Sequence, residues 1–232
     1  MGVILSGIVR AMELIARGDP QLLQIVGLTL AISGTATIVA AAWSLPAATL
    51  LGLRKFRGSE LLRNMFNALI GMPTVALGTV LYLLFCRGGP LGSIHLLYTP
   101  AAIVIGEAIL ITPIAVSFMV SAITSVDPRV GDLAKTLGAS SSQAEWCVIR
   151  EASSGILLAV VASFGRAAAE LGVALMVGGN IPGSTRVLTT AIAIGINRGD
   201  LELAIALTII LLGIVAAVTM ATNRLARRGV TG

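Results

Sequence analysis

Charge is scarce in this chain. Asp, Glu, Lys and Arg together make up 12% of its 232 residues, against about 25% in an ordinary soluble domain, so no sizeable soluble domain fits. Histidine occurs only at His95, which excludes a site built from imidazoles. Cysteine occurs only at Cys86 and Cys147, without the spacing or company of metal ligands, and no metal site is expected. The only lysines are Lys55 and Lys135. Neither follows a glycine as the phosphate loop of an ATPase requires, so the chain carries no site for ATP and Mg of its own. No nucleophile–base pair stands out, which argues against a membrane-embedded enzyme. The start, Met1 to Arg17, lacks the apolar core of a cleavable signal and holds Arg10, Glu13 and Arg17.

What the chain has in abundance is apolar surface. Hydrophobic residues make up 56%, mean hydropathy is +0.96, and long runs carry no charge. The class is all-α, a polytopic membrane bundle of about five spans, each needing about 20 residues. Val3 to Ala16 is too short and too charged to span, so residues 1–18 are expected to lie along the interface as an amphipathic helix. Residues 19–232 form the membrane domain. Asp19 caps the first span and Pro20 opens it. The run Pro20–Leu53 is uncharged and overlong, with Pro46 as a kink or exit. Asn64–Cys86 is the second span, with Asn67 and Pro73 suited to packing inside the bundle. Leu96–Val126 is the third, charged only at Glu107, with Pro113 inside. Ala152–Val177 is the fourth and carries Arg166 and Glu170. A glycine- and threonine-rich segment follows, and Leu203–Asn223 is the fifth span.

The longest charged interval runs from Asp127 to Glu151 and reads as two short helices with a sharp corner. Asp127 can cap the first helix and Pro128 suits its first position. Gly138 can take the left-handed conformation that ends it, and Ser142 with Glu145 spells a capping box for the second. A polar helical knob between two spans suits docking to a partner.

Basic residues set the orientation. Arg54, Lys55, Arg57, Arg63, Arg129, Lys135, Arg150, Arg224, Arg227 and Arg228 fall on one side of a five-span arrangement. Arg10, Arg17, Arg87, Arg186 and Arg198 fall on the other. The richer side is cytoplasmic by the positive-inside rule, which puts the knob and the C-terminus inside. The net charge of +5 is thus a topology signal and implies no nucleic-acid partner. The two cysteines fall on opposite sides.

Within the knob, Asp132-Leu133-Ala134-x-x-Leu137-Gly138-Ala139 resembles the EAA loop of ABC-importer permeases, with Asp132 and Leu133 where the family opens on Glu and Ala. The stretch Phe164-Gly165-Arg166 through Glu170-Leu171-Gly172, then Gly178-Gly179-Asn180-Ile181 and Thr185-Arg186-Val187-Leu188-Thr189-Thr190, resembles permeases of tungstate-type oxyanion importers, relatives of the molybdate permeases. Asn67 to Val75 and Arg87 to Gly92 fit the same family. The resemblance implies a type I ABC-importer permease fold in the inner (cytoplasmic) membrane. It also implies a homodimer, two ATPase subunits that bind ATP and Mg, and an extracytoplasmic oxyanion-binding protein. The knob would couple to the ATPase through Asp132, Leu133, Ala134, Leu137, Gly138 and Ala139. A secondary transporter driven by ions is the alternative; it calls for inverted repeats, which are not evident.

Charges inside a membrane cost about 2.5–3.5 kcal/mol on insertion scales. Arg166 and Glu170, four apart, can pair. They are either a neutralised packing pair or a site where Arg166 screens a passing oxyanion and Glu170 keeps it from holding too tightly. Glu107 is either a partner for Arg166 or a helix-packing hydrogen bonder. In the outer segment, Gly179 frees backbone N–H groups, and Asn180, Ser184, Thr185, Thr189 and Thr190 offer neutral donors for an oxyanion in passage; alternatively they shape a re-entrant turn at the gate.

Overall fold

The computed structural model describes residues 2–54 and 56–229, among which every regular element is a helix and there is no strand. Lys55 and the side chains of Arg227 and Arg228 lie outside the described residues. Helix α1 spans Gly2–Arg17 and packs along α11, Leu201–Gly229. Their contact is close, because a Cβ at Gly7 would meet the Ile205 side chain at 2.5 Å. Helix α2, Pro20–Leu53, starts as its sequence dictates: the Asp19 carboxylate accepts the Leu22 N–H at 2.9 Å and Pro20 occupies the first turn. Pro46 lies inside the helix, which continues to Leu53.

Three helices are long and apolar enough to cross a membrane: α2, α5 (Pro100–Thr124) and α11 as far as Ala221. Two bent pairs, Ser59–Leu69 with Thr74–Phe85 and Ser141–Glu151 with Ser153–Ala168, raise the number to five at most. The second expected span is one of them. It divides into α3, Ser59–Leu69, and α4, Thr74–Phe85, which meet at 98°. Pro73 explains the break. It has no N–H to donate and restrains Met72 to extended backbone, so α3 cannot continue and α4 starts afresh. Asn67 and much of α3 are exposed on the single chain rather than enclosed in the bundle.

The fourth expected span is also broken, a correction to the continuous helix read from Ala152 to Val177. Helix α8, Ser153–Ala168, stops after 16 residues, and α9, Gly172–Gly178, follows across a gap at Ala169–Leu171. No proline marks this break; hydrogen bonds made by Glu170 hold it open, as described below. A further helix, α10 (Leu188–Asn197), stands in the segment read only as rich in glycine and threonine.

Small residues bring α2, α5 and α8 together. Ala36 and Ala40 of α2, Ala108 of α5 and Ala167 of α8 share one buried cluster with Ile111. Added Cβ atoms at Gly52 and Gly155 would meet Ile123 at 2.8 Å and Ala122 at 2.7 Å, so the backbones approach as closely as glycine allows. The buried face of α2 also carries Thr29, Ser33, Thr37 and Ser44 at helical spacing.

Between α5 and α8 stands the knob, α6 (Arg129–Thr136) and α7 (Ser141–Glu151). The Asp127 carboxylate accepts the Arg129 N–H at 2.9 Å, so it caps the first turn as expected. Gly138 is left-handed at φ +92°. The Ala139 N–H donates to the Ala134 carbonyl and the Gly138 N–H to that of Lys135, both at 3.0 Å, forming a Schellman motif. The capping box is not Ser142 with Glu145 but Ser140 with Gln143, each accepting the other's backbone N–H, at 3.4 and 2.8 Å. Both pairs fit the spacing. The helix begins directly after the glycine corner, so the first serine takes the cap and Ser142 falls inside the first turn.

Candidate functional site

The two helix breaks face each other. A Cβ at Gly172, the first residue of α9, would lie 2.6 Å from Thr74 Oγ1 and 3.0 Å from the Val75 nitrogen, at the start of α4. Beside this contact runs a groove of about 380 Å³ lined by Thr74, Arg166, Glu170, Gly172 and Met176, among others. Gly172→Val is expected to force α4 and α9 apart, because a backbone atom cannot turn aside as a side chain can. We expect a loss of about 1–3 kcal/mol, read as a lower unfolding midpoint in detergent. Gly165→Ala, whose nearest neighbour would be Val215 at 3.8 Å, should leave it unchanged. An unaltered midpoint in Gly172→Val would refute the contact.

Glu170 organises the break. Its side chain is 2% exposed. One carboxylate oxygen accepts from Arg166 Nη1 at 2.7 Å and the other from the Val173 N–H at 3.0 Å, so Glu170 caps α9 while pairing with α8. Its backbone carbonyl accepts from Thr189 Oγ1 at 2.7 Å, which ties the break to α10. Arg166 is about one-third exposed toward the groove, at the C-terminal end of α8, where a cation is favoured. The spacing of four residues led to the right pair, although Glu170 lies beyond the helix that carries Arg166.

Glu107 of α5 is 1% exposed. Ser33 of α2 and Arg166 both lie near enough to act on it, while the ion pair of Arg166 goes to Glu170. One Glu107 oxygen has no partner among the described residues. The neighbouring Gly106 packs against Val173, which places Glu107 at the level of the α8–α9 break.

The outer segment is held by its own hydroxyls. Thr185 Oγ1 donates to the Gly178 carbonyl at 2.5 Å and accepts the Ile181 N–H at 2.9 Å. Thr190 Oγ1 accepts the Val187 N–H at 3.1 Å, and Thr29 of α2 accepts the Leu188 N–H at 2.9 Å, capping α10 from outside. Gly179 and Asn180 are both left-handed, at φ +68° and +51°. Gly179 lies against the ring of Tyr98, and the Tyr98 N–H donates to the Val177 carbonyl. Asn180 is buried, and its Oδ1 has no partner among the described residues. Ser33, Thr74 and Tyr98 escaped the sequence reading; a hydroxyl stripe along α2 was the one signal available for Ser33.

The knob gathers the other set of residues. Leu133 and Leu137 are 62% and 80% exposed, with Trp146 also open. Asp132 and Gly138 are exposed beside them, while Ala134 and Ala139 are half-buried at the corner. Glu145 pairs with Arg54 at 3.4 Å, linking the knob to the end of α2; so exposed a pair contributes little.

A family model described as the binding-protein-dependent transport system inner membrane component matches residues 44–229. The tungstate uptake system permease protein of Peptoclostridium acidaminophilum is 39% identical over 94% of this chain and 96% of its own length. A probable anion ABC transporter permease protein of Haloferax volcanii is 39% identical over 88% of this chain and 91% of its own. Among solved structures, a bacterial alginate ABC transporter in complex with an alginate pentasaccharide-bound periplasmic protein superposes with a TM-score of 0.69. It covers 90% of this chain and 80% of that one at 15% identity, a likeness of fold.

Proposed function

The chain belongs to the family of binding-protein-dependent transport system inner membrane components, and from that premise we propose that it is the permease subunit of an ATP-driven importer of tungstate or a similar tetrahedral oxyanion. The cargo is carried over from the permeases to which it is similar. The observation that carries the energy-coupling role is the knob. Two leucines and a tryptophan stand exposed on an otherwise polar helical hairpin, where a separate ATPase subunit would cover them.

Two copies of the chain would enclose the route, because a single bundle this poor in polar side chains makes a poor path for a dianion. Arg166, paired at 2.7 Å, would screen the anion in the groove without trapping it, since transport needs binding weak enough to release. Glu107 and Glu170 would brace the helices around that groove. The buried hydroxyls of Thr185, Thr189 and Thr190 would hold the outer segment rigid. The Gly179 N–H is donated to the Leu175 carbonyl, a correction to the free donor expected there. Asn180, buried with an oxygen that has no partner among the described residues, would meet cargo only when the gate opens. With the knob and C-terminus in the cytoplasm, closure of two ATP- and Mg-bound ATPase subunits would pull the knobs. α5 and α8, which flank the knob, would carry the motion to the gate, and a binding protein outside would deliver the anion.

The test is uptake into vesicles holding this chain together with an ABC ATPase subunit and an oxyanion-binding protein. ATP-dependent accumulation of tungstate, competed by molybdate or sulfate according to the binding protein, is expected. Uptake by this chain alone would overturn the reading. Gly138→Leu supplies the coupling control. No atom crowds that site, but a side chain at φ +92° is strained by about 1–2 kcal/mol. The variant should insert normally and transport poorly, and normal transport would refute the coupling role of the corner.

A further inference from the structure

On the knob side of the bundle, a cavity of about 400 Å³ opens between α3 and the second half of α5, with Leu51 of α2 at its edge. Its polar lining is Arg63, Asn67, Ser117, Ser121 and Thr124, and no carboxylate lines it. Arg63 is fixed in place, because its Nη2 donates to the Leu51 carbonyl, one of the open carbonyls at the end of α2. Its Nε is shut away from solvent without a hydrogen-bond partner among the described residues, and so is Ser117 Oγ on the facing helix.

A buried polar group left unmet is destabilising, and here the two residues that carry such groups, on different helices, line one cavity. One cation, an amide and hydroxyls, with no competing anion, match a tetrahedral oxyanion. The guanidinium supplies charge-assisted bonds and the neutral groups replace hydration. The location is the release side. Arg54, three residues beyond Leu51, pairs with the knob, and α5 runs from the cavity to Asp127 at the knob's start. We propose that this cavity is an exit subsite, where Arg63, Asn67 and Ser117 hold the transported oxyanion after it passes the groove at Arg166 and before it leaves. The proposal rests on the importer reading above and goes beyond it, since the α8–α9 groove, the gate and the knob contribute nothing to this cavity.

The same chemistry would seat a phospholipid phosphate, and the experiment separates the two. Ser121→Cys is placed in a permease bearing Cys86→Ala and Cys147→Ser, and the complete nucleotide-free complex is set in nanodiscs of phosphatidylcholine or of phosphatidylglycerol. Modification of the new thiol by N-ethylmaleimide is then followed against tungstate concentration. Tungstate should slow labelling in a saturable way in both lipids, with sulfate acting similarly and chloride not at all. Adding Ser117→Ala, which spares the bond from Arg63 to Leu51, should raise the tungstate concentration needed by about tenfold, the equivalent of one hydrogen bond. A labelling rate that follows the lipid and ignores tungstate would overturn the proposal in favour of a headgroup. A rate indifferent to both would leave the cavity to water and overturn it equally. Either result obtained while the complex still imports tungstate would leave the importer reading intact.

Discussion

Replacing Leu133 and Leu137 together by aspartate is expected to abolish oxyanion uptake while the permease stays folded and inserted. These leucines are 62% and 80% exposed, so within the chain they stabilise little. Covered by an ATPase subunit, each would contribute about 1.5–3 kcal/mol. An aspartate in the same place would add a desolvated, unpaired carboxylate, as costly as losing a central anchor of an interface. The combined loss corresponds to a fall in ATPase affinity of about three orders of magnitude or more. Co-purification of the ATPase and uptake in vesicles should disappear together, while the detergent unfolding midpoint stays at the wild-type value. If the ATPase remained bound to the double variant, the motor would have to dock elsewhere.

Glu170→Ala is expected to be the most damaging single change inside the bundle. It strips α9 of its cap and leaves both the Val173 N–H and the Arg166 guanidinium without their acceptor. Breaking a buried pair from one side costs about 3–5 kcal/mol, although the partial exposure of Arg166 moves the expectation to the lower end. Glu170→Gln retains an acceptor for Val173 and should recover part of the stability. The double variant Arg166→Ala/Glu170→Ala should be more stable than Glu170→Ala alone, because it removes the orphaned cation. Uptake should fall in the double variant even where stability recovers, if Arg166 screens the anion. A midpoint that drops additively, with uptake unchanged, would make the two residues independent and Arg166 irrelevant to transport.

Features of the fold that depend on neighbours in sequence could be read directly. A charge-free run with Asp19-Pro20 at its head becomes α2 because both the span and its cap are local chemistry. The knob was legible for the same reason: Asp127, Gly138 and a serine–glutamine pair act within a few residues of themselves. The error there was one of register, since two serines satisfied the same spacing and only the position of the glycine corner chose Ser140. Arg166 and Glu170 were legible as a pair because four residues separate them.

The two breaks mark the limit. Pro73 was in view for one of them but was read as a packing residue within a single span, not as a 98° turn. Little local announced the other: Arg166 and Val173 bond to Glu170 within four residues, but the break is also held by Thr189, nineteen residues away, and by a close approach to Thr74 on another helix. Ser33 against Glu107, Thr29 capping α10, and Arg63 facing Ser117 across a cavity likewise join residues distant in the chain. Composition, charge placement and caps therefore settle that this is a helical membrane protein with an exposed hinge. The groove, the gate and the cavity arise where packed helices leave polar groups to find partners through space, and no periodicity along the chain encodes those meetings.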